Sequence, residues 1–341
     1  MQTVPVQEAL GMVLRHDVTR IVPGKFKGRA LKKGHIINEE DIPVLLNMGK
    51  EHVYAFDLKP GYVHEDEAAA RIARAASGNG IIFTEPSEGR VNLKAGIFGL
   101  LKVNAGALQQ VNEVEEIVFA TMHTNQSVNR KQAIAGTRIV PLVTGEDKIK
   151  KVEDLCSEHY PVIEVKPFKH YTVGVVTTGS EVFHGRIEDE FGPVVQNKFA
   201  ELGSSVINQV FVSDDVDMTV GAIMDSVHGG AELVVVTGGM SVDPDDQTPA
   251  SIRATGGKVI TYGAPTFPGA MFMLAYLADI PIVGLPGCVM YYKASIFDLI
   301  VPRILAGETL TRSDITALGH GGFCASCPTC RYPVCGFGKG N

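Results

Sequence analysis

Between residues 171 and 305 the chain alternates short apolar runs with amphipathic stretches. Tyr171-Thr172-Val173-Gly174-Val175-Val176 predicts a buried strand, and Gly192 to Leu202 a helix. Ser205 to Val212 predicts a strand, Asp217 to His228 a helix and Glu232 to Val236 another strand. A helix from about Thr248 to Ala254 and the strands Lys258 to Tyr262 and Ile280 to Leu285 come next, then one long helix from about Val289 to Leu305. Fully apolar strands separated by helices call for a parallel sheet covered on both faces. The expected class over residues 170–308 is therefore α/β, a doubly wound and mostly parallel sheet.

The pattern outside that stretch differs. Residues 1–169 predict a mixed α+β region, with short strands, turns and helices in no simple alternation. Asn38-Glu39-Glu40-Asp41 before Ile42, Leu45 and Leu46 is a helix-start signature, and a second helix is expected from Glu65 to Ala76. Gly24, Gly28 and Gly34 punctuate a basic stretch holding Lys25, Lys27, Arg29, Lys32 and Lys33, which predicts a solvated hairpin or a place that attracts phosphate or another oxyanion. Residues 309–341 form a short Cys-rich tail, too rich in glycine for a core of its own.

The most apolar stretch, Met271 to Val289, is broken by Asp279, Pro281, Gly284, Pro286 and Gly287, so it predicts two buried strands and a turn, not a bilayer span. Met1 to Gly11 shows no cationic run ahead of an apolar one, hence no secretory signal is expected, and the protein is expected in the cytoplasm without a membrane partner. The 341 residues and 45% hydrophobic content suffice for about two cores. A mixed charge summing to −7 speaks against a nucleic-acid partner held by bulk electrostatics.

In an open parallel sheet, ligands sit beyond the carboxyl ends of the strands. The unusual residues of this region fall at those ends. Thr177-Thr178-Gly179-Ser180-Glu181 follows the first strand, with Gly185 to Asp189 beyond it, and Ser213-Asp214-Asp215 follows the second. Thr237-Gly238-Gly239-Met240-Ser241 follows the third, ahead of Asp243, Asp245, Asp246 and Thr248. Pro268-Gly269-Ala270 and Leu285-Pro286-Gly287-Cys288 come later. Glycines let backbone N–H groups reach anionic oxygens, and hydroxyls add donors. Carboxylates beside a phosphate make sense when Mg²⁺ bridges them or when they orient a nucleophile. Asp214-Asp215 has a plainer alternative, as the N-cap of the next helix.

On these residues, the stretch from about 171 to 305 resembles the molybdenum-cofactor biosynthesis domain shared by molybdopterin molybdenumtransferases and molybdopterin adenylyltransferases. The resemblance implies a cleft for molybdopterin or its adenylylated form, with ligand-binding residues Thr178, Gly179, Ser180, Glu181, Asp189, Gly238, Gly239 and Ser241. Thr248, Pro268, Gly269, Pro286 and Gly287 extend that set. Asp214 and Asp246 take the places of functional carboxylates, and Mg²⁺ is the implied cofactor. The implied reaction is molybdate insertion with release of AMP. Molybdate, a molybdoenzyme or another cofactor-biosynthesis protein are the implied partners, and insertase relatives suggest a homodimer. The alternatives are a non-catalytic molybdopterin carrier or sensor, and a molybdopterin adenylyltransferase. The chain departs from the family pattern at Asp243, often Gly; at Ala270, commonly a cation; at Cys288-Val289, often Asn or Gln with Pro; and at Phe191, an Asn. These losses of polar anchors favour the carrier.

Two cysteine features remain. Cys288 stands at a predicted helix N-terminus, either as an acidified thiol or as an inert small hydrophobe. Cys324, Cys327, Cys330 and Cys335 follow a C-x2-C-x2-C-x4-C spacing that fits an iron–sulfur cluster or zinc, with His320 as an accessory ligand or a simple turn residue.

Overall fold

The computed structural model describes residues 3–22, 26–241, 243 and 246–340; Gly24, Lys25 and Asp245, named above, lie outside the described residues, as does the side chain of Lys27. The chain divides into two compact units, one of residues 1–124 and 128–165, the other of residues 125–127 and 166–341.

The first unit is mixed α+β. His52–Phe56 is the middle of a three-stranded antiparallel sheet with Thr3–Pro5 and Val13–Leu14. A four-stranded antiparallel sheet orders Ile117–Thr121, Ala133–Ile139, Arg90–Ala95 and Ile81–Phe83. Its core packs Ala68, Ala69 and Ile72 of the helix Glu65–Ala76 with Ile149 and Val152 of the helix Glu146–Glu158. Arg71 ties those helices together through Glu146 (2.9 Å) and Glu153 (2.8 Å). The helix-start signature is borne out in Asp41–Asn47, with the Asn38 side chain accepting from the Asp41 amide. The basic stretch is a hairpin, Val18–Val22 with Phe26–Leu31. Its Arg29 pairs with Asp17 and Glu88, and Lys32 with Glu88, so these cations are already partnered on the surface.

The second unit holds a six-stranded sheet. Its strands are β1 (Thr172–Thr178), β2 (Ser205–Val212), β3 (Leu233–Thr237), β4 (Lys258–Tyr262), β5 (Met273–Leu277) and β6 (Ile280–Leu285), in the order β2-β1-β3-β6-β5-β4. β2, β1, β3 and β6 run parallel, while β5 is antiparallel to both of its neighbours. The β5–β6 hairpin is the pair of buried strands expected between Met271 and Val289.

The helices are α1 (Ser180–Phe183), α2 (Phe191–Glu201), α3 (Val216–His228), α4 (Thr248–Ala254), α5 (Cys288–Tyr291), α6 (Ile296–Leu305) and α7 (Arg312–Thr316). Alternation along β1 and β3 feeds two cores. Val173, Val175 and Val235 face Phe199 of α2 and Phe297 of α6, whose rings meet edge to face at 5.2 Å. Val176, Val234 and Val236 face Ile223 of α3 and Ile252 of α4. The sheet is thus wound on both faces, as expected.

The long helix expected from Val289 to Leu305 is two helices. Tyr292 is extended, and Ser295 caps α6 reciprocally with Asp298. The tail, set apart above, packs within the second unit. Phe337 is buried against Ala294 and Leu299, and the Tyr332 hydroxyl donates to the Asp298 carbonyl at 3.0 Å. Among the described residues no helix is long and apolar enough to cross a membrane.

Candidate functional site

The strand order reverses between β1 and β3, and a cleft opens where their carboxyl ends part. Thr178 spans this crevice by donating to the Thr237 carbonyl at 3.2 Å. Beneath it, Thr248 meets the Thr178 hydroxyl at 3.1 Å and donates to the Gly238 carbonyl at 2.8 Å. Gly238 sits at φ +84°, where a Cβ would run into the Thr178 carbonyl oxygen, so glycine is required. Gly269 is held alike: at φ +131° a Cβ would strike the side chain of Ile296.

The cleft has two lobes. One, of about 1090 Å³, is lined by Thr178, Gly179, Ser180, Glu181, Asp189 and Asp214 on one side, and by Gly238, Gly239, Asp243 and Asp246 on the other. The second, of about 600 Å³, shares Gly238, Gly239 and Asp246 with the first. It continues past Ser241, Pro268, Gly269, Pro286 and Gly287, and its far wall is Phe267, Cys288, Tyr292, Phe323 and Cys324. Asp214 and Asp246, 32 positions apart in sequence, therefore face one lobe.

The carboxylates divide their work. Asp215 is the N-cap of α3, accepting from the Met218 amide at 2.8 Å. Asp214 instead turns to the cleft and accepts from the Ser180 amide at 2.8 Å, which fixes the Gly179 turn. Asp189 accepts from the amides of Phe191 (3.0 Å) and Gly192 (3.0 Å), and from the Gln209 side chain at 2.5 Å, so much of its accepting capacity anchors α2. Asp246 accepts from the Asp243 amide at 3.2 Å, closing its own loop.

The larger lobe is acidic. Glu181, Glu188, Asp189, Glu190, Asp214, Asp243 and Asp246 line it, and no Lys or Arg is among the described residues lining either lobe. A bare phosphate there would meet like charge from these side chains, and among the described residues no three of the carboxylates are gathered around one point as a metal ion held by protein alone would need. Mg²⁺ commonly takes one or two protein carboxylates and fills the rest of its shell with phosphate oxygens and water.

Of the expected ligand-binding residues, Thr248 is not on the cleft surface; it is buried beneath Gly238 and Gly239 and acts as their support. Burial pushes the Cys288 thiol up, the direction of an inert thiol rather than an acidified one. The four tail cysteines are free: Cys324 reaches the smaller lobe, Cys335 packs near Phe337, and Cys327 and Cys330 are exposed. Among the described residues, no three His, Cys, Asp or Glu side chains are gathered as a metal ion would need. In this arrangement the cysteines, with His320, do not form a ligand set.

Sequence reasoning missed Gln209, which donates to both Asp189 and the Thr177 hydroxyl (2.9 Å) from mid-strand in β2. It also missed Phe267 and Phe323, 56 positions apart, which no local pattern joins.

Residues 174–306 match a family model described as a probable molybdopterin binding domain, and residues 3–57 match one described as a domain of unknown function. The chain is 28% identical over 95 residues to the molybdopterin adenylyltransferase of Pyrococcus furiosus, covering 28% of this chain and 56% of that one. It is 27% identical over 135 residues to a molybdopterin molybdenumtransferase of Staphylococcus aureus, covering 38% and 32%. The chain thus spans about half, or a third, of the curated relatives it matches. Among solved structures, a tungsten cofactor synthesizing protein of Pyrococcus furiosus aligns at 22% identity and a TM-score of 0.35, over 41% of this chain and 97% of that one.

Proposed function

Taking residues 174–306 as a domain of the molybdopterin-binding family, we propose that the two-lobed cleft holds molybdopterin or adenylylated molybdopterin and inserts molybdate with release of AMP. The phosphate-bearing end would lie in the acidic lobe and the pterin in the smaller one. Asp214 and Asp246 would hold Mg²⁺ together with the ligand's phosphates, and the ion would neutralise charge on the adenylate as it leaves. The Gly239 backbone amide, beside them, suits a phosphate oxygen. The observation that carries this reading is the convergence of Asp214 and Asp246 on one lobe across Gly238-Gly239.

The test is AMP release from adenylylated molybdopterin by purified protein with molybdate and Mg²⁺. Asp246→Ala should slow it by roughly 100-fold or more, the scale of removing a group that stabilises developing charge. Release at the wild-type rate from Asp246→Ala would refute the catalytic assignment.

The carrier reading draws support from a specific observation: among the described residues no Lys or Arg that would hold molybdate directly lines either lobe, and Ala270 stands where insertases commonly have a cation. Tight binding without AMP release would decide for it. ATP consumption in the presence of molybdopterin would decide for an adenylyltransferase. No step of these readings is routed through iron–sulfur or zinc at the cysteines.

A further inference from the structure

The smaller lobe has a wall that comes from the tail. Phe267 and Phe323 lie side by side on it, ring centroids 6.4 Å apart and tilted by 49°. Both are large apolar residues left open, Phe267 at 59% and Phe323 at 76% of full exposure. One open phenylalanine on a surface is ordinary; two in contact on the wall of one cavity are not, because each forgoes the stabilisation of burial.

Their backbones are fixed. The Phe267 amide donates to the Gly322 carbonyl at 2.8 Å, and the Cys324 amide donates to the Phe267 carbonyl at 2.8 Å, a parallel bridge between loop and tail. The tail is fixed in turn on both sides of Phe323. Upstream, Asp314 of α7 pairs with Arg303 at 2.6 Å. Downstream, the Gly338 amide donates to the Gly321 carbonyl at 2.9 Å, and Phe337 is buried. A segment with no core of its own is thus pinned at several points while its most apolar side chain stays uncovered. This arrangement presents a ring instead of hiding one.

We propose that the tail is a working part of the binding site, and that Phe323 with Phe267 recognises the flat conjugated heterocycle of the ligand. This rests on the pterin reading above. A tilted pair suits such a ring: the heterocycle stacks on one face and meets the edge of the other. The carboxylates of the larger lobe cannot discriminate one phosphorylated ligand from another; an aromatic pair beside them selects those with a planar ring. Phe323 is then a specificity residue, not a catalytic one.

The test uses the full chain with Mg²⁺ and two probes: a fluorescent pterin monophosphate, which reports both lobes, and inorganic pyrophosphate, which reports the acidic lobe alone. Wild type should bind the pterin probe saturably, with its fluorescence quenched by stacking. Phe323→Ala should weaken pterin binding about 10-fold and relieve the quenching, on the scale of one lost base-on-aromatic stack. Phe323→Tyr should stay within about 2-fold of wild type, since the stacking face is kept. Pyrophosphate affinity should be the same in all three.

Pterin binding unchanged in Phe323→Ala would overturn the inference and leave the functional reading standing. An equal loss of pyrophosphate affinity in Phe323→Ala would also overturn it, because the residue would then be holding the cleft together. Wild type that binds pyrophosphate but never the pterin probe would overturn the functional reading, and the inference with it.

Discussion

The two lobes of the cleft share Gly238, Gly239 and Asp246 but are built by different means. The acidic lobe grows mostly out of the sheet: Thr178 to Glu181, Asp214 and Gly238-Gly239 stand at or just beyond the ends of β1, β2 and β3. The smaller lobe adds to the ends of β3 and β6 two pieces from elsewhere, the Pro268-Gly269 turn and a pinned tail. On the inference drawn above, shape recognition falls to side chains that a docked segment brings in.

The sharpest way to break this comparison is at the shared turn. Gly238→Ala forces a side chain into the Thr178 carbonyl at φ +84° and should cost about 3 kcal/mol, lowering the melting temperature by roughly 8 °C. Both lobes should fail together, read as loss of pterin and pyrophosphate binding alike. If only one probe is lost, the lobes are less coupled than their common residues imply.

The neighbours Asp214 and Asp215 sharpen it next. Asp214→Ala removes the acceptor for the Ser180 amide and should weaken Mg²⁺-dependent pyrophosphate binding about 10-fold, the range for a charge-assisted hydrogen bond. Asp215→Ala removes the cap of α3 and should cost about 1 kcal/mol in chemical unfolding with binding unchanged. Reversed results would mean that the cap, not the cleft, is the working carboxylate.

The smallest effect concerns the tail. Burial alone would raise the Asp314 carboxyl, but hydrogen bonds from Thr311 and the Arg303 guanidinium outweigh it and hold it at about 2. Its folded value lies below the unfolded one of about 4, so this stabilisation is present above pH 4 and is lost as pH falls through about 2. Asp314→Asn should flatten the acid limb of the stability curve in that window and leave neutral-pH pyrophosphate binding intact. An acid limb identical to wild type would show that Asp314 does not anchor the tail.

Much of the sheet was legible in the sequence for a plain reason. Leu233–Thr237 is buried at every position, and such runs bounded by glycine have few other folded forms. The acidic lobe was legible because its residues stand directly after those runs. The break between α5 and α6 was also written locally, as Ser295-x-x-Asp298, but the apolar residues on either side read as one continuous stripe. Thr248 shows a different limit: a hydroxyl beside a glycine turn suits a ligand and a buried support equally, and only its bonds to Thr178 and Gly238 decide. The cysteine spacing pointed to a metal; the tail packs Cys324 and Cys335 with Tyr332 against Phe337, and among the described residues no three metal ligands are gathered.

The bridge between Phe267 and the tail also bears on synthesis. Residues 319–338 are translated after every strand of the sheet, so on the ribosome the phosphate-facing half would be finished while the ring-facing half still lacked its wall. Selectivity would arrive last, when the emerging segment docks.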